Sequence, residues 1–119
     1  MLTKTKHYSS SFSSETKSSL PSRQQLVRAF IKRQRINNTI EILKDILSLF
    51  NNGYYDQVKV ELNPKSSYYS YELLVSYLER EGFIIRFSLN RSRKDYITVL
   101  ISLFNNSYKP NEVVTSFRY

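Results

Sequence analysis

The chain has 119 residues, 40% of them hydrophobic, and a formal net charge of +8. That length supports one domain, or one domain with an arm, around a small core, because short chains bury proportionally less of their surface. The absence of cysteine excludes disulfides, thiolate metal sites and thiol nucleophiles, and no apolar run approaches the roughly 20 residues of a membrane span.

The charge is unevenly placed. Up to Arg35 there are eight basic residues against Glu15 alone, whereas the remainder carries ten basic and nine acidic residues. The body is therefore close to neutral and the first third supplies the positive field, which points to an anionic partner. Heavy use of Ser, Tyr, Ile, Leu, Asn and Lys has the stamp of an AT-rich genome, often an organellar one.

Met1 to Pro21 is serine-rich with little apolar content, so it is expected to remain disordered unless something outside the chain holds it. It has the basic, acid-poor look of a transit peptide. Ser22 to Gln34 then reads as a short helix. Leu26, Val27, Phe30 and Ile31 lie on one side, and Arg28, Lys32, Arg33 and Arg35 on the other. With no acidic residue interrupting it, the basic side is read as a phosphate-binding face; a merely solvated face is the alternative.

Asn37-Asn38-Thr39 breaks that pattern, and Asn38 followed by Glu41 resembles a capping box opening a second helix, Ile40 to Phe50. Its expected core stripe is Ile40, Leu43, Leu47 and Phe50, broadened by Ile42, Ile46 and Leu49. Glu41 and Asp45, four residues apart beside Lys44, are taken as a solvated face and not as metal ligands. Gln57 to Leu62 alternates, with Val58, Val60 and Leu62 on one side, which is the pattern of a half-buried strand that Pro64 ends.

The stretch Asn63 to Phe87 reads as loop, helix, glycine stop and strand. Tyr71, Leu74, Val75 and Leu78 have the spacing of one buried helical stripe, widened by Leu73 and Tyr77, with the helix start placed near Ser66 or Ser67. Gly82 falls where a chain leaving a helix adopts positive φ. Phe83–Leu89 is β-prone, Asn90 to Lys94 a basic hairpin turn, and Tyr96 to Leu103 a second strand. Val113 to Tyr119 has the makings of one more. The word SLFNN occurs at Ser48–Asn52 and Ser102–Asn106, ending a helix in one place and a strand in the other, so it is biased composition and not a repeat of architecture.

No catalytic constellation is visible. The single histidine, His7, sits in the arm with nothing to orient it, and there is no Gly-rich phosphate loop or metal-ligand cluster. An enzyme is not expected, nor a cofactor or metal. Candidate nucleic-acid contacts are more numerous. They comprise the basic helix (Arg28, Lys32, Arg33, Arg35), the turn Arg91, Arg93 and Lys94 with Arg86 nearby, and Lys65-Ser66-Ser67 before a helix start, where first-turn N–H groups and hydroxyls can hold phosphate. Tyr68 and Tyr69 adjoin that last site and are read either as base-stacking rings or as side chains packed on the sheet.

Three words in this order resemble the N-terminal domain of the universal small-subunit ribosomal protein eight family. They are Leu47-Ser48-Leu49-Phe50-Asn51-Asn52-Gly53 at a helix end, Val58 to Pro64 followed by Lys65-Ser66-Ser67, and Leu78-Glu79-Arg80-Glu81-Gly82-Phe83-Ile84 at the next helix end. The resemblance covers Asn38 to about Leu103. It implies an α/β fold: a small αβαββ domain at residues 38–104, with a three-stranded mixed sheet and two helices packed on it. A basic extension with a short helix (1–37) would precede it, and a tail (105–119) would follow. It also implies a primary binder of the central domain of small-subunit rRNA, with neighbouring small-subunit ribosomal proteins as partners and a mitochondrial ribosome in the matrix as its home. Leu49 and Phe50 replace basic residues of the family, and the family's Pro-Ser-Ser-Lys loop appears as Pro64-Lys65-Ser66-Ser67. The family's C-terminal β domain, its main RNA grip, is expected to be lost or supplied by a separate polypeptide, with Val113 to Tyr119 as its possible first strand. The competing resemblance is to a winged-helix DNA-binding regulator, with Leu74 to Arg86 as recognition helix and wing.

Overall fold

The structure, a computed structural model, describes residues 20–119. Expectations for the serine-rich arm and His7 lie outside the described residues. By its contacts the chain divides into two units, Met1–Lys32 and Arg33–Tyr119.

The first helix, α1 (Arg23–Asn51), runs without interruption for 29 residues. A reciprocal capping box opens it: Gln25 N–H donates to Ser22 Oγ at 3.2 Å, and Ser22 N–H donates to Gln25 Oε1 at 2.8 Å. The expected break at Asn37-Asn38-Thr39 does not occur, so the short helix and its successor are one element. Nothing between Ser22 and Gly53 obliges the chain to stop, since that stretch holds neither glycine nor proline. The polar side chains at the supposed break serve another element, as shown below. The buried stripe also differs from expectation. Thr39, Ile42, Leu43 and Ile46 are buried, whereas Ile40 is exposed and Leu47, Leu49 and Phe50 are half-buried.

After Gly53 (φ +80) comes β1 (Gln57–Leu62), with the bounds its alternation predicts. The second helix, α2 (Tyr71–Arg80), starts later than expected. Its N-cap is Ser70, whose Oγ accepts Leu73 N–H, and not Ser66 or Ser67. Only Leu74 and Leu78 are fully buried on it; Leu73, counted in the stripe, is exposed. Its exit is a Schellman turn: Gly82 N–H donates to Glu79 O and Phe83 N–H to Leu78 O, each at 3.0 Å, with Gly82 at φ +94. Glycine is needed there for the backbone alone, because an added Cβ would meet nothing within 4 Å.

The remaining strands are β2 (Ile84–Leu89), β3 (Ile97–Ser102) and β4 (Val114–Arg118). They form one sheet in the order β2-β3-β1-β4. β3 lies antiparallel between β2 and β1, and β4 runs parallel to β1 with a register shift between Lys59 and Glu61. The sheet thus has four strands where three were expected, because Val114–Arg118 joins β1 instead of standing apart. Arg118 Nε donates to Glu61 Oε1 at 2.6 Å and pins that edge. Val58, Val60 and Leu62 of β1 and Val99 and Ile101 of β3 share one face by register. They meet Ile42, Leu43, Ile46, Leu74, Leu78 and Tyr69 in a single core.

Candidate nucleic-acid interface

The loop from Asn63 to Ser70 determines what the expected phosphate site can do. Asn63 Oδ1 accepts Lys65 N–H, Asn63 O accepts Ser66 N–H, and Ser66 Oγ accepts Tyr68 N–H, so the Ser66 oxygen is fixed by the turn while its O–H stays available to donate. Tyr69 turns inward and is fully buried, and its hydroxyl accepts Asn63 N–H at 2.7 Å. That burial pushes the phenol above its ordinary pKa.

Three side chains of α1 hold the loop backbone from outside. Arg35 donates from Nε to Tyr69 O at 3.1 Å and from Nη2 to Ser66 O at 3.3 Å. Asn38 Nδ2 donates to Tyr68 O at 3.0 Å. The buried Thr39 hydroxyl donates to Arg35 O and accepts Ser70 N–H, both at 2.8 Å. These groups satisfy backbone atoms that burial would otherwise strand, at a net ~0.5–1.5 kcal/mol for each bond.

The helix start expected at Ser66 or Ser67 is therefore corrected, and the packed reading of Tyr69 is the one the structure shows. Arg35 is half-buried and gives its Nε–H and one Nη2–H to carbonyl oxygens, so it braces the loop with two of its five donors. Ser66 and Ser67 do not begin a helix. The true first turn carries Glu72, an unfavourable neighbour for phosphate, and its cap is already used. Tyr69 is core. Lys65, Ser67 and Tyr68 do remain exposed on the outer side of the loop.

Elsewhere the basic residues stand in solvent. Arg28 and Lys32, in the first unit, are exposed on α1, as is Arg33 at the start of the second. Arg91, Arg93 and Lys94 are exposed on the loop between β2 and β3. There Asn90 Oδ1 accepts the N–H groups of Ser92 and Arg93, and the Arg93 guanidinium sits 5.6 Å from the Tyr96 ring centre. Arg86, exposed on β2, donates to Asn105 O at 3.2 Å. Among the described residues the ion pairs within 4 Å are Lys44–Glu41, Lys109–Glu112 and Arg118–Glu61, so none of the candidate cations is in a direct ion pair, although the Arg118 bond, with a smaller attraction from Arg93, holds the Glu61 carboxyl below its ordinary pKa. Asp45, considered beside Glu41, accepts the Tyr119 hydroxyl, and no group of acidic or histidine side chains among the described residues could hold a metal ion.

Sequence reasoning missed a second cluster. Tyr54, Tyr55, Leu103, Phe104, Tyr108 and Lys109 line a cleft of about 280 Å³ below the end of the sheet, with Asp56 at its base. Asp56 is buried and organises the loop that follows β3. Its carboxylate accepts the Ser107 hydroxyl through both oxygens at 3.0 and 2.9 Å and Tyr108 N–H at 2.8 Å, while its carbonyl accepts Leu103 N–H. Burial alone would raise the Asp56 carboxyl, but the bonds from Tyr108 and Ser107 outweigh it and hold the group below its ordinary pKa. The only early signal was the aromatic content of two turns.

Compared with known proteins, the chain matches no family model, no curated protein and no solved structure.

Proposed function

We propose that this protein is a structural RNA-binding constituent of a small ribosomal subunit, of the mitochondrial type, and not an enzyme. The observation that carries the reading is the set of exposed cations outside any direct ion pair among the described residues: Arg28, Lys32 and Arg33 on α1, Lys65 on the loop after β1, and Arg91, Arg93 and Lys94 on the hairpin turn, of which Arg93 feels the Glu61 carboxylate. Long basic side chains left exposed and outside direct ion pairs suit phosphate contacts, which dominate affinity for nucleic acid. The resemblance to the N-terminal domain of small-subunit protein eight adds the RNA class, and the element order from α1 to β3 is compatible with it. The winged-helix alternative needs a helix directly before its recognition helix, and this chain has β1 there, paired on both edges.

The test is binding to a structured fragment of small-subunit rRNA across a salt series. Log affinity should fall linearly with log salt at about −0.7 to −0.9 per phosphate contact. Replacing Arg91, Arg93 and Lys94 by Gln should make the slope shallower by about 2 to 3. Arg35 must be left in place, since it braces the loop. An unchanged slope, or preference for duplex DNA over the RNA, would overturn the reading.

A further inference from the structure

Three large aromatic rings stand in solvent around the cleft below the sheet: Tyr54 is 70% exposed, Tyr108 79% and Phe104 39%. They lie on two separate turns that the fold brings together. Tyr54 follows Gly53 at the end of α1, and its N–H is held by Asn52 Oδ1 at 2.8 Å. Phe104 and Tyr108 belong to the loop fixed by Asp56, and their rings sit 4.6 Å apart at 34°, a tilted pair in which Tyr108 is the more exposed ring. Leaving such surface uncovered costs favourable burial, and nothing in the core requires these rings outside.

The lining chemistry narrows the ligand. The walls are mostly aromatic, and the one cation lining the cleft, Lys109, is ion-paired with Glu112 at 3.5 Å. Arg86 is drawn to the same loop through Asn105 O. The volume of about 280 Å³ falls just below the range of about 300–1,000 Å³ typical for drug-sized ligands, and so suits a single planar ring system. Flat rings beside a cation are the arrangement with which proteins hold unpaired bases, the ring stacking on the base while the cation meets the neighbouring phosphate. The seat is already rigid, because the Asp56 carboxylate fixes Ser107 and Tyr108 before any ligand arrives.

We infer that Tyr54, Phe104 and Tyr108 form a stacking site for an unpaired nucleobase of single-stranded RNA, with Arg86, outside any ion pair among the described residues, bonded to the same loop. This rests on the RNA-binding reading and adds to it a site that takes a base, where the exposed cations take phosphate.

The experiment uses the full chain and a fluorescent 12-nucleotide single-stranded RNA, with the same oligonucleotide in duplex form as the comparison. A 4-thiouridine version provides a crosslink. Tyr54→Ala and Tyr108→Ala should each weaken single-strand binding by about 5- to 140-fold, the equivalent of one lost stacking contact. Tyr54→Phe and Tyr108→Phe should bind like the parent, and the crosslink should map to Tyr54, Phe104 or Tyr108. If the alanine variants bind the single strand as tightly as the parent, the cleft is not a base site, while RNA binding as such stands. If the parent binds no RNA at all, both readings fall. A proline-rich peptide that shifts the NMR signals of these rings, where the RNA does not, would reassign the cleft to protein recognition.

Discussion

Two loops of this protein are built on the same plan and put their aromatic residues to opposite ends. The loop between β1 and α2 is fixed by side chains reaching in from α1, where Arg35, Asn38 and Thr39 bind its carbonyl and amide groups; its Tyr69 turns into the core. The loop between β3 and β4 is fixed by a single carboxylate, Asp56, which collects a hydroxyl and an amide; its Phe104 and Tyr108 remain outside. Donors on α1 satisfy the carbonyls of the first loop, and an acceptor at the start of β1 satisfies the donors of the second. A polar brace can therefore serve either to bury a ring or to hold one in solvent. In the second case the ring is left largely outside the core.

The contrast can be tested by removing each part in turn. Tyr69→Ala should have the largest effect, destabilising the fold by about 3–5 kcal/mol in a denaturant titration, because it empties a fully buried site and leaves Asn63 N–H unpaired. Asp56→Asn should cost less, about 1–3 kcal/mol at neutral pH, since it weakens charge-assisted bonds at one loop without opening the core. The Asp56 pKa is lower when folded than when unfolded. Its contribution is therefore complete above the unfolded value of about 3.9 and is lost as the pH falls below that toward the folded value. Parent and Asp56→Asn should accordingly converge in stability in acid; a gap that stays constant down to pH about 2 would remove Asp56 from the account. Tyr108→Ala should have the smallest effect, within about 0.5 kcal/mol of the parent, because the ring is mostly in solvent. A large loss from Tyr108→Ala would mean that the second loop, too, depends on its ring.

Much of the fold could be read from periodicity and glycine. The Gln57–Leu62 alternation gave β1 its bounds, and Gly82 marked the end of α2, because a period of two and a positive φ are local properties. Asn37-Asn38-Thr39 misled because the same polar residues that cap a helix can face outward from its middle and bind another segment; that choice depends on a partner about thirty residues away, which no local window contains. For the same reason Arg35 looked like its neighbours Lys32 and Arg33. The aromatic cleft was invisible because Tyr54 and Tyr108 are distant in sequence and meet only through the course of β3 and the loop beyond it. Of the candidate cations, those on exposed turns could be placed from sequence, since turns put their side chains outward whatever the rest of the chain does.

Strand β1 has β3 on one edge and β4 on the other, and both follow it in the chain, separated from it by α2 and a hairpin. Because synthesis proceeds from the N-terminus, β1 emerges after α1, which supplies part of the cover of Val58, Val60 and Leu62, but before either strand that pairs with its edges. The helix-to-loop brace spans a shorter loop than the closure of β4 on β1, so the entropy of chain closure favours the two helices meeting first and the parallel edge arriving last. In this topology β4 is the latch on the open edge of β1, and until it closes that edge presents unpaired N–H and C=O groups.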